Sequence, residues 1–170
     1  MDRALLPRRE HSRKGTIMKI RDIMTSEPMT CSPHTNLAAA AELMLKGDCG
    51  ILPVLDNGKI VGVVTDRDLY IALATRNERP SEVTVGAVAQ VPVYTCGPDD
   101  ELLTALATMK QHGVRRLLVE GFGNTVMGIV SMNDLVLAAG PTRPVRDEDV
   151  ADALRTICSH HHPEPRIEAA

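Results

Sequence analysis

Aromatic residues are scarce in this chain of 170 residues, which contains two tyrosines, one phenylalanine and no tryptophan. The formal net charge is only −3. A dedicated nucleic-acid binder needs a basic surface or aromatic side chains on which bases stack, so this class is excluded. No apolar run reaches the roughly 18 residues that would span a bilayer, and no apolar secretory signal opens the sequence. We therefore expect a soluble cytoplasmic protein that binds neither membrane nor nucleic acid.

Cysteine motifs are also missing, because no CxxC spacing connects Cys31, Cys49, Cys96 and Cys158. This excludes a zinc knuckle and a thioredoxin-like motif. Without an export signal we expect free thiols. Cys31 and Cys96 occupy equivalent positions in the repeat described below, and we interpret them as small core residues rather than as a disulfide.

The end of the chain carries His160, His161 and His162 close to Cys158. Thiolate and imidazole are good zinc ligands, so a metal site is one interpretation of this cluster. Pro163 and the tail position favour a mobile segment instead. We predict no metal site.

Most of the sequence consists of two similar copies of one segment. Pro28 matches Pro92 at a shift of 64 residues, and Asp68 matches Asp134 at a shift of 66. Internal repeats of this kind decide the architecture. We predict a disordered extension over 1–17, a first repeat over 18–78 and a second repeat over 79–140. The final region, 141–170, is predicted to contain a linker, a short amphipathic helix and a mobile tail.

Each copy has the same order of secondary-structure signals, β-α-β-β-α. In the first copy, Thr35 is the expected N-cap of a helix over 36–46, and apolar runs on both sides of Asn57-Gly58 predict a β-hairpin. A helix from Asp66 to about Thr75 follows. In the second copy we predict a helix over 99–112, strands over 115–120 and 126–131, and a helix over 132–138.

Two units of about 60 residues are each too small to bury much surface alone. We therefore predict an α/β fold in which the two repeats pack against each other with pseudo-twofold symmetry. Such an arrangement leaves two related clefts between the repeats, and ligand sites are common at places of this kind.

A hydroxyl-x-x-carboxylate pattern recurs after the hairpin of each copy, as Thr65-Asp66-Arg67-Asp68 and as Ser131-Met132-Asn133-Asp134. A helix that starts here would point its free N–H groups and positive dipole end at an anion such as phosphate. The carboxylate can accept hydrogen bonds from ribose hydroxyls. The alternative is that the hydroxyls are ordinary helix N-caps.

These two copies resemble the CBS domain, the module named after cystathionine β-synthase. The resemblance covers 18–140 and rests on SEPMTCSP, GILPVLDNGKIVGVVTDRDL and GVRRLLVEGFGNTVMGIVSMNDL. In that family a tandem pair forms a Bateman module, and stand-alone bacterial members are similar in size to this chain. Their clefts bind AMP, ADP or ATP, and in some members NAD(H) or S-adenosylmethionine. The family regulates by binding, so the resemblance implies no enzyme and no cofactor beyond this ligand.

Carried onto this sequence, the resemblance implies ribose acids at Asp68 and Asp134, with hydroxyls at Thr65 and Ser131. Further ligand-binding positions contact phosphate or enclose the base; they are Met29, Thr30, Asp66, Arg67, Val93, Tyr94, Arg115, Arg116 and Asn133. The first copy has Gly50 and Ile51 where the second has its arginine pair, and we include both among the ligand-binding positions.

This difference between the copies predicts unequal sites. If Arg115 and Arg116 face inward, positive charge collects in one cleft, and we expect the cleft of Asp68 to be the better phosphate site. The alternative for the arginine pair is a solvated strand end that forms salt bridges with Glu120 or Asp134.

The resemblance implies a module that binds an adenine nucleotide, reports cellular energy state and passes the signal to a separate, unidentified effector protein. It also implies a homodimer, for which the helix faces around Leu43, Met44, Leu106 and Met109 are candidates. Two alternatives remain open: a sensor of NAD(H) or S-adenosylmethionine, and a protein-interaction scaffold with vestigial clefts.

Overall fold

The computed structural model describes residues 18–159. The predictions for 1–17 and for His160 to His162 lie outside the described residues. The α-helices and β-strands of the described chain are, in order, β1 Thr25–Ser26, α1 Leu37–Lys46, β2 Ile51–Asp56, β3 Lys59–Thr65, α2 Asp66–Arg76, β4 Thr95–Cys96, α3 Leu102–His112, β5 Arg116–Gly121, β6 Thr125–Ser131, α4 Met132–Ala138 and α5 Asp147–Ser159.

The hairpin of the first repeat forms as the turn residues predict. Asn57 and Gly58 both have positive φ, 49° and 76°, which is the requirement of a tight turn between twisted strands. β2 and β3 pair antiparallel from Ile51 opposite Thr65 to Asp56 opposite Lys59. The corresponding strands of the second repeat, β5 and β6, pair in the same way.

Two predicted helix starts were wrong. α1 is capped by Asn36, whose side chain accepts a hydrogen bond from the Ala39 N–H at 2.9 Å, because the Thr35 hydroxyl instead accepts from the Ser32 N–H at 3.0 Å. α3 begins three residues later than predicted, at Leu102. The Asp100 carboxylate accepts from the Gly97 N–H at 2.7 Å, which holds the preceding residues in a turn.

The leading segment of each repeat packs on the other repeat. β1 joins the sheet of the second repeat, in the strand order β1-β6-β5-β4, while β2 and β3 form a separate pair. The leading segment of the second repeat, which precedes β4, packs on the first repeat in the same way. There the Leu37 N–H donates to the Val83 carbonyl at 3.0 Å, and the Gln90 N–H donates to the Val63 carbonyl at 2.8 Å. Because each leading segment packs on the other repeat, the two repeats form one structural unit.

A glycine allows the close approach of β1. A Cβ added to Gly128 would lie 2.8 Å from the Thr25 carbonyl oxygen and 2.8 Å from the Met24 sulfur. Contacts under about 3.0 Å are not seen for real Cβ atoms, so a side chain here would push the strand pair apart. The equivalent Gly62 is less crowded, because its added Cβ would lie 3.3 Å from the Ala89 Cβ and 3.4 Å from the Gln90 carbonyl oxygen.

Apolar side chains from both sheets meet between the repeats. They form a small core of Ile51, Ile60, Leu118 and Ile129. Two hydrogen bonds cross the same boundary, from the Ile60 N–H to the Asn124 carbonyl at 3.1 Å and from the Asn124 amide to the Ile60 carbonyl at 3.0 Å. The α/β fold of two CBS-like repeats with pseudo-twofold packing is therefore confirmed.

α5 follows the second repeat and packs on it. Val150, Ala153 and Ile157 lie in the same buried core as Leu106 and Met109 of α3. The Lys110 ammonium pairs with the Asp152 carboxylate on the surface of this contact. No described helix is long and apolar enough to cross a membrane.

Three of the four residues expected to form a dimer contact are buried. Met44, Leu106 and Met109 are 6%, 4% and 0% exposed, because each belongs to the core of its own repeat. These three residues are therefore unavailable for a dimer contact, whereas Leu43, the fourth residue of that prediction, is only partly buried. The homodimer itself stays a prediction. The large apolar side chains that are exposed on α2 and α4 include Tyr70 and Leu137.

Candidate functional site: two clefts between the repeats

Two clefts lie where the repeats meet, and each combines residues of both. Cleft 1 has a volume of about 560 Å³ and is lined by Ile51, Val63, Thr65, Asp66, Arg67, Gln90, Pro92, Val93, Tyr94, Gly113, Val114, Arg115, Arg116, Leu118, Ile157 and Cys158. Cleft 2 has a volume of about 380 Å³ and is lined by Thr25, Glu27, Pro28, Met29, Gly47, Asp48, Cys49, Gly50, Ile51, Arg116, Ile129, Ser131, Asn133 and Asp134.

The hydroxyl-x-x-carboxylate pattern forms a helix cap in both copies. The Thr65 hydroxyl accepts from the Asp68 N–H at 3.3 Å, while the Thr65 N–H donates to Asp68 Oδ2 at 2.8 Å. Ser131 and Asp134 repeat this reciprocal arrangement at 3.3 and 2.7 Å. The N-cap interpretation is therefore confirmed. It uses Oδ2 of each aspartate, so a ligand role in the clefts depends on Oδ1.

The two aspartates differ at this second oxygen. Asp68 is 9% exposed and does not line cleft 1, and its Oδ1 accepts a hydrogen bond from the Gln90 side-chain amide. Asp134 is half-buried and lines cleft 2. Among the described residues, no donor reaches its Oδ1 within hydrogen-bond distance.

The two clefts differ in the net charge of the residues that line them. Arg67, Arg115 and Arg116 line cleft 1 with one acid, Asp66, so its lining carries two net positive charges. Cleft 2 contains three acids, Glu27, Asp48 and Asp134, and shares only Arg116, so its lining carries two net negative charges. An anion is therefore favoured in cleft 1 and a cation in cleft 2.

Gly50 explains part of this asymmetry. The Asp66 N–H donates to the Gly50 carbonyl at 3.3 Å, and the Met132 N–H donates to the Arg115 carbonyl at 2.9 Å, so Gly50 and Arg115 hold equivalent backbone positions beside their helices. Arg115 therefore supplies a guanidinium to cleft 1, and the equivalent position of the first repeat supplies none to cleft 2. Neither arginine of the pair forms an ion pair with a described residue, so the predicted alternative of salt bridges with Glu120 or Asp134 is wrong.

One wall of cleft 1 comes from α5, outside the two repeats. Ile157 is 2% exposed and anchors the helix, and the neighbouring Cys158 is exposed at the cleft. The Arg115 guanidinium donates to the Cys158 sulfur at 3.5 Å. On another wall, the Tyr94 ring stacks on His112 with centroids 4.0 Å apart and planes 18° from parallel. These contacts restrain two side chains of the cleft lining.

The four thiols are free and fall into two groups. Cys31 and Cys96 are buried, which raises the pKa of Cys31 to about 11. Burial and then the nearby Asp100 carboxylate raise the pKa of Cys96 to about 12. Cys158 and Cys49 line clefts 1 and 2 respectively. Each cleft therefore contains one thiol, and the core thiols are protonated at neutral pH.

Thirteen of the fifteen predicted ligand-binding residues line one of the two clefts, and Ile51 and Arg116 line both. Thr30 and Asp68 line neither cleft.

Sequence reasoning missed Gln90, Ile157 and Cys158 in cleft 1. Gln90 is 22 residues from Asp68 and in the other repeat, and α5 lies beyond both repeats, so no local pattern connects them to the site. Sequence reasoning also missed the acids Glu27 and Asp48 in cleft 2. His160 to His162 lie outside the described residues, and among those described no group of three metal-ligating side chains comes together.

Comparisons with known proteins agree with this architecture. The model of the CBS domain matches residues 20–75 and 85–140. The CBS domain-containing protein YhcV of Bacillus subtilis is 32% identical over 143 residues, covering 84% of this chain and 96% of YhcV. Hypoxic response protein 1 of Mycobacterium tuberculosis is 29% identical over 140 residues, covering 82% of this chain and 93% of that protein.

A solved structure shows the same fold with ligands. The CBS domain pair of protein MJ0100, in complex with 5′-methylthioadenosine and S-adenosyl-L-methionine, superposes with a TM-score of 0.65 at 25% identity, covering 71% of this chain and 94% of the other. Fold and comparisons thus define a tandem-repeat regulatory module with a cleft on each side of the contact between its halves. The chain belongs to the CBS domain family and carries two copies of that domain.

Proposed function

We propose that cleft 1 binds an adenine nucleotide, with the phosphate at the arginines and the ribose at Asp68. The observation that carries this proposal is the net positive lining of cleft 1 at the start of an eleven-residue helix, α2. The guanidinium of Arg67 lies at the positive end of the α2 dipole, and Arg115 and Arg116 line the same cleft. Guanidinium groups bind phosphate through paired, charge-assisted hydrogen bonds. Tyr94 and Val93 lie on the part of the lining left for the base.

The proposed binding is regulatory because the cleft spans both repeats. A phosphate that contacts Arg67 from the first repeat and Arg115 from the second would stabilise one arrangement of the two halves. A ligand shifts a conformational equilibrium only by its difference in affinity for the two states. We therefore propose that the nucleotide reports energy state through the packing of the repeats, and that a separate effector protein reads this packing.

The direct test is AMP binding, measured by calorimetry, to the protein with Asp68→Asn. Asn retains an oxygen for the helix cap but removes the charge that holds the ribose hydroxyls. A hydrogen bond to a charged group contributes about 1.5–3 kcal/mol, so the dissociation constant should rise roughly 10- to 100-fold. Asp134→Asn is the matched control, since it makes the same change in the same cap of cleft 2 and should leave AMP affinity near wild type.

A second candidate ligand applies to cleft 2. S-adenosylmethionine carries a sulfonium and an ammonium, and the acidic lining with Glu27 and Asp48 favours cations. The MJ0100 pair, which binds this ligand, supports the choice. We therefore propose that S-adenosylmethionine binds cleft 2 and that its affinity falls in Asp134→Asn but not in Asp68→Asn.

Failure of both experiments has a clear meaning. If neither AMP nor S-adenosylmethionine binds the wild-type protein at millimolar concentration, the clefts are vestigial. The remaining function would then be that of an interaction scaffold.

A further inference from the structure

We propose that the Gln90 side chain, by its hydrogen bond to the ribose-binding carboxylate of Asp68, lowers the affinity of cleft 1 for an adenine nucleotide. We call this side chain the latch. This inference rests on the proposed function of Asp68. Both oxygens of this carboxylate already have protein donors: Oδ2 accepts from the Thr65 N–H at 2.8 Å and from the Thr65 hydroxyl at 2.6 Å, and Oδ1 accepts from the Gln90 amide.

The other cleft has no such latch. Thr25 is the structural counterpart of Gln90, because Thr25 pairs with Ile129 and Gln90 bridges to Val63, and these two partners are equivalent at a shift of 66 residues. A threonine side chain is two bonds shorter than a glutamine side chain. Within the described part of the chain, Thr25 forms no hydrogen bond with Asp134.

Burial follows the same difference. Asp68 is 9% exposed and does not line its cleft, whereas Gln90 is exposed and does. Asp134, without a latch, is half-buried and lines cleft 2. A side chain of the second repeat therefore covers the acid of the first.

Since the carboxylate is buried and its Oδ1 already accepts from the Gln90 amide, ribose hydroxyls bind this oxygen by displacing that amide. The exchange is one donor for another on the same charged acceptor, so the gain is smaller than for an open carboxylate. The displaced amide stays hydrogen-bonded because Gln90 is exposed to water. Its backbone remains in place through two hydrogen bonds with Val63, of 2.8 and 3.3 Å. Gln90 is thus a positioning residue that lowers affinity without blocking the cleft.

The test compares AMP affinity and melting temperature in wild type, Gln90→Ala and Gln90→Met. Both variants remove the donor, and the second retains the length of the side chain. AMP should bind about tenfold more tightly to each, which is about 1.4 kcal/mol. The melting temperature without nucleotide should fall by roughly 2–4 °C, as for the loss of one hydrogen bond in a domain of this size. A purely structural role would weaken both quantities together.

Two controls isolate the latch. Thr108→Ala removes one exposed hydrogen bond, from the Thr108 hydroxyl to the Thr104 carbonyl at 3.0 Å, away from both clefts, and should leave AMP affinity unchanged. In the Asp68→Asn background, Gln90→Ala should lose its tightening effect, because coupled residues are not additive.

The outcomes separate this inference from the proposed function. Unchanged or weaker AMP binding in both Gln90 variants, with Asp68→Asn still weakening it, overturns the latch and leaves the nucleotide site standing. Absence of AMP binding in wild type and in both variants overturns both. AMP binding that appears only after Gln90 is replaced supports the latch.

Discussion

Replacement of Arg115 tests the electrostatic basis of cleft 1. Two unit charges about 4 Å apart interact by roughly 4 kcal/mol at an effective dielectric of about 20, which is the gross attraction for one guanidinium and one phosphate charge. Arg115 is exposed, and exposed pairs retain about 1 kcal/mol or less, whereas charged hydrogen bonds contribute about 1.5–3 kcal/mol. The contact with Cys158 restrains the guanidinium before binding. We expect Arg115→Ala to weaken AMP binding by about tenfold, or about 1.4 kcal/mol.

The assay is calorimetric titration with AMP and with adenosine. Adenosine lacks the phosphate, so its affinity should be the same in wild type and Arg115→Ala. Arg79→Ala, which removes an exposed arginine outside both clefts, is the control for net charge. The affinity of wild type for AMP should also fall more steeply with salt than that of Arg115→Ala, because the screening length shrinks from about 8 Å at 0.15 M to about 3 Å at 1 M. Equal losses for AMP and adenosine would refute a phosphate role for Arg115.

Two further predictions concern stability. Gly128→Ala should lower the free energy of unfolding by about 1–3 kcal/mol through overpacking against β1, whereas the equivalent Gly62→Ala should cost less; equal losses in urea denaturation would contradict the crowding at Gly128. Above pH 9 the unfolded chain releases thiol protons that folded Cys31 and Cys96 retain, since their folded pKa values are about 11 and about 12. Stability contributed by these groups is present below pH 9 and lost as pH rises toward those values, so replacing both by Ala should flatten the alkaline decline of melting temperature.

Much of the fold could be predicted from sequence because local signals agree with the final structure. The Asn57-Gly58 turn determines the first hairpin, and the hydroxyl-x-x-acid caps at Thr65 and Ser131 mark the start of α2 and α4. The start of α1 was misplaced by one residue because Thr35 and Asn36 are both good caps. Only the hydrogen bond that Thr35 accepts from Ser32 decides between them.

Tertiary contacts explain what could not be predicted. The apolar spacing of Leu106 and Met109 fits either a surface contact or a core, and both residues lie in the core that the second repeat shares with α5. A sequence pattern does not say which helix packs on which. The exchange of leading segments likewise depends on long-range pairing.

The candidate site was predictable to a similar extent. Repeat symmetry and family resemblance indicated the positions of Arg67, Arg115 and Ser131. The charge difference between the clefts needed the structure, because Glu27 and Asp48 belong to no motif. The engagement of Asp68 by Gln90 also needed it, since the two residues lie in different repeats.

The measurement that tests the central claim most directly is alkylation of the native protein by iodoacetamide, with and without AMP, followed by mass spectrometry of each cysteine. Cys158 reports on cleft 1 and Cys49 on cleft 2, while Cys31 and Cys96 should react slowly because they are buried and protonated. If AMP occupies cleft 1, alkylation of Cys158 should slow and that of Cys49 should not. Protection of Cys49 alone, or of neither thiol at saturating AMP, would contradict the account.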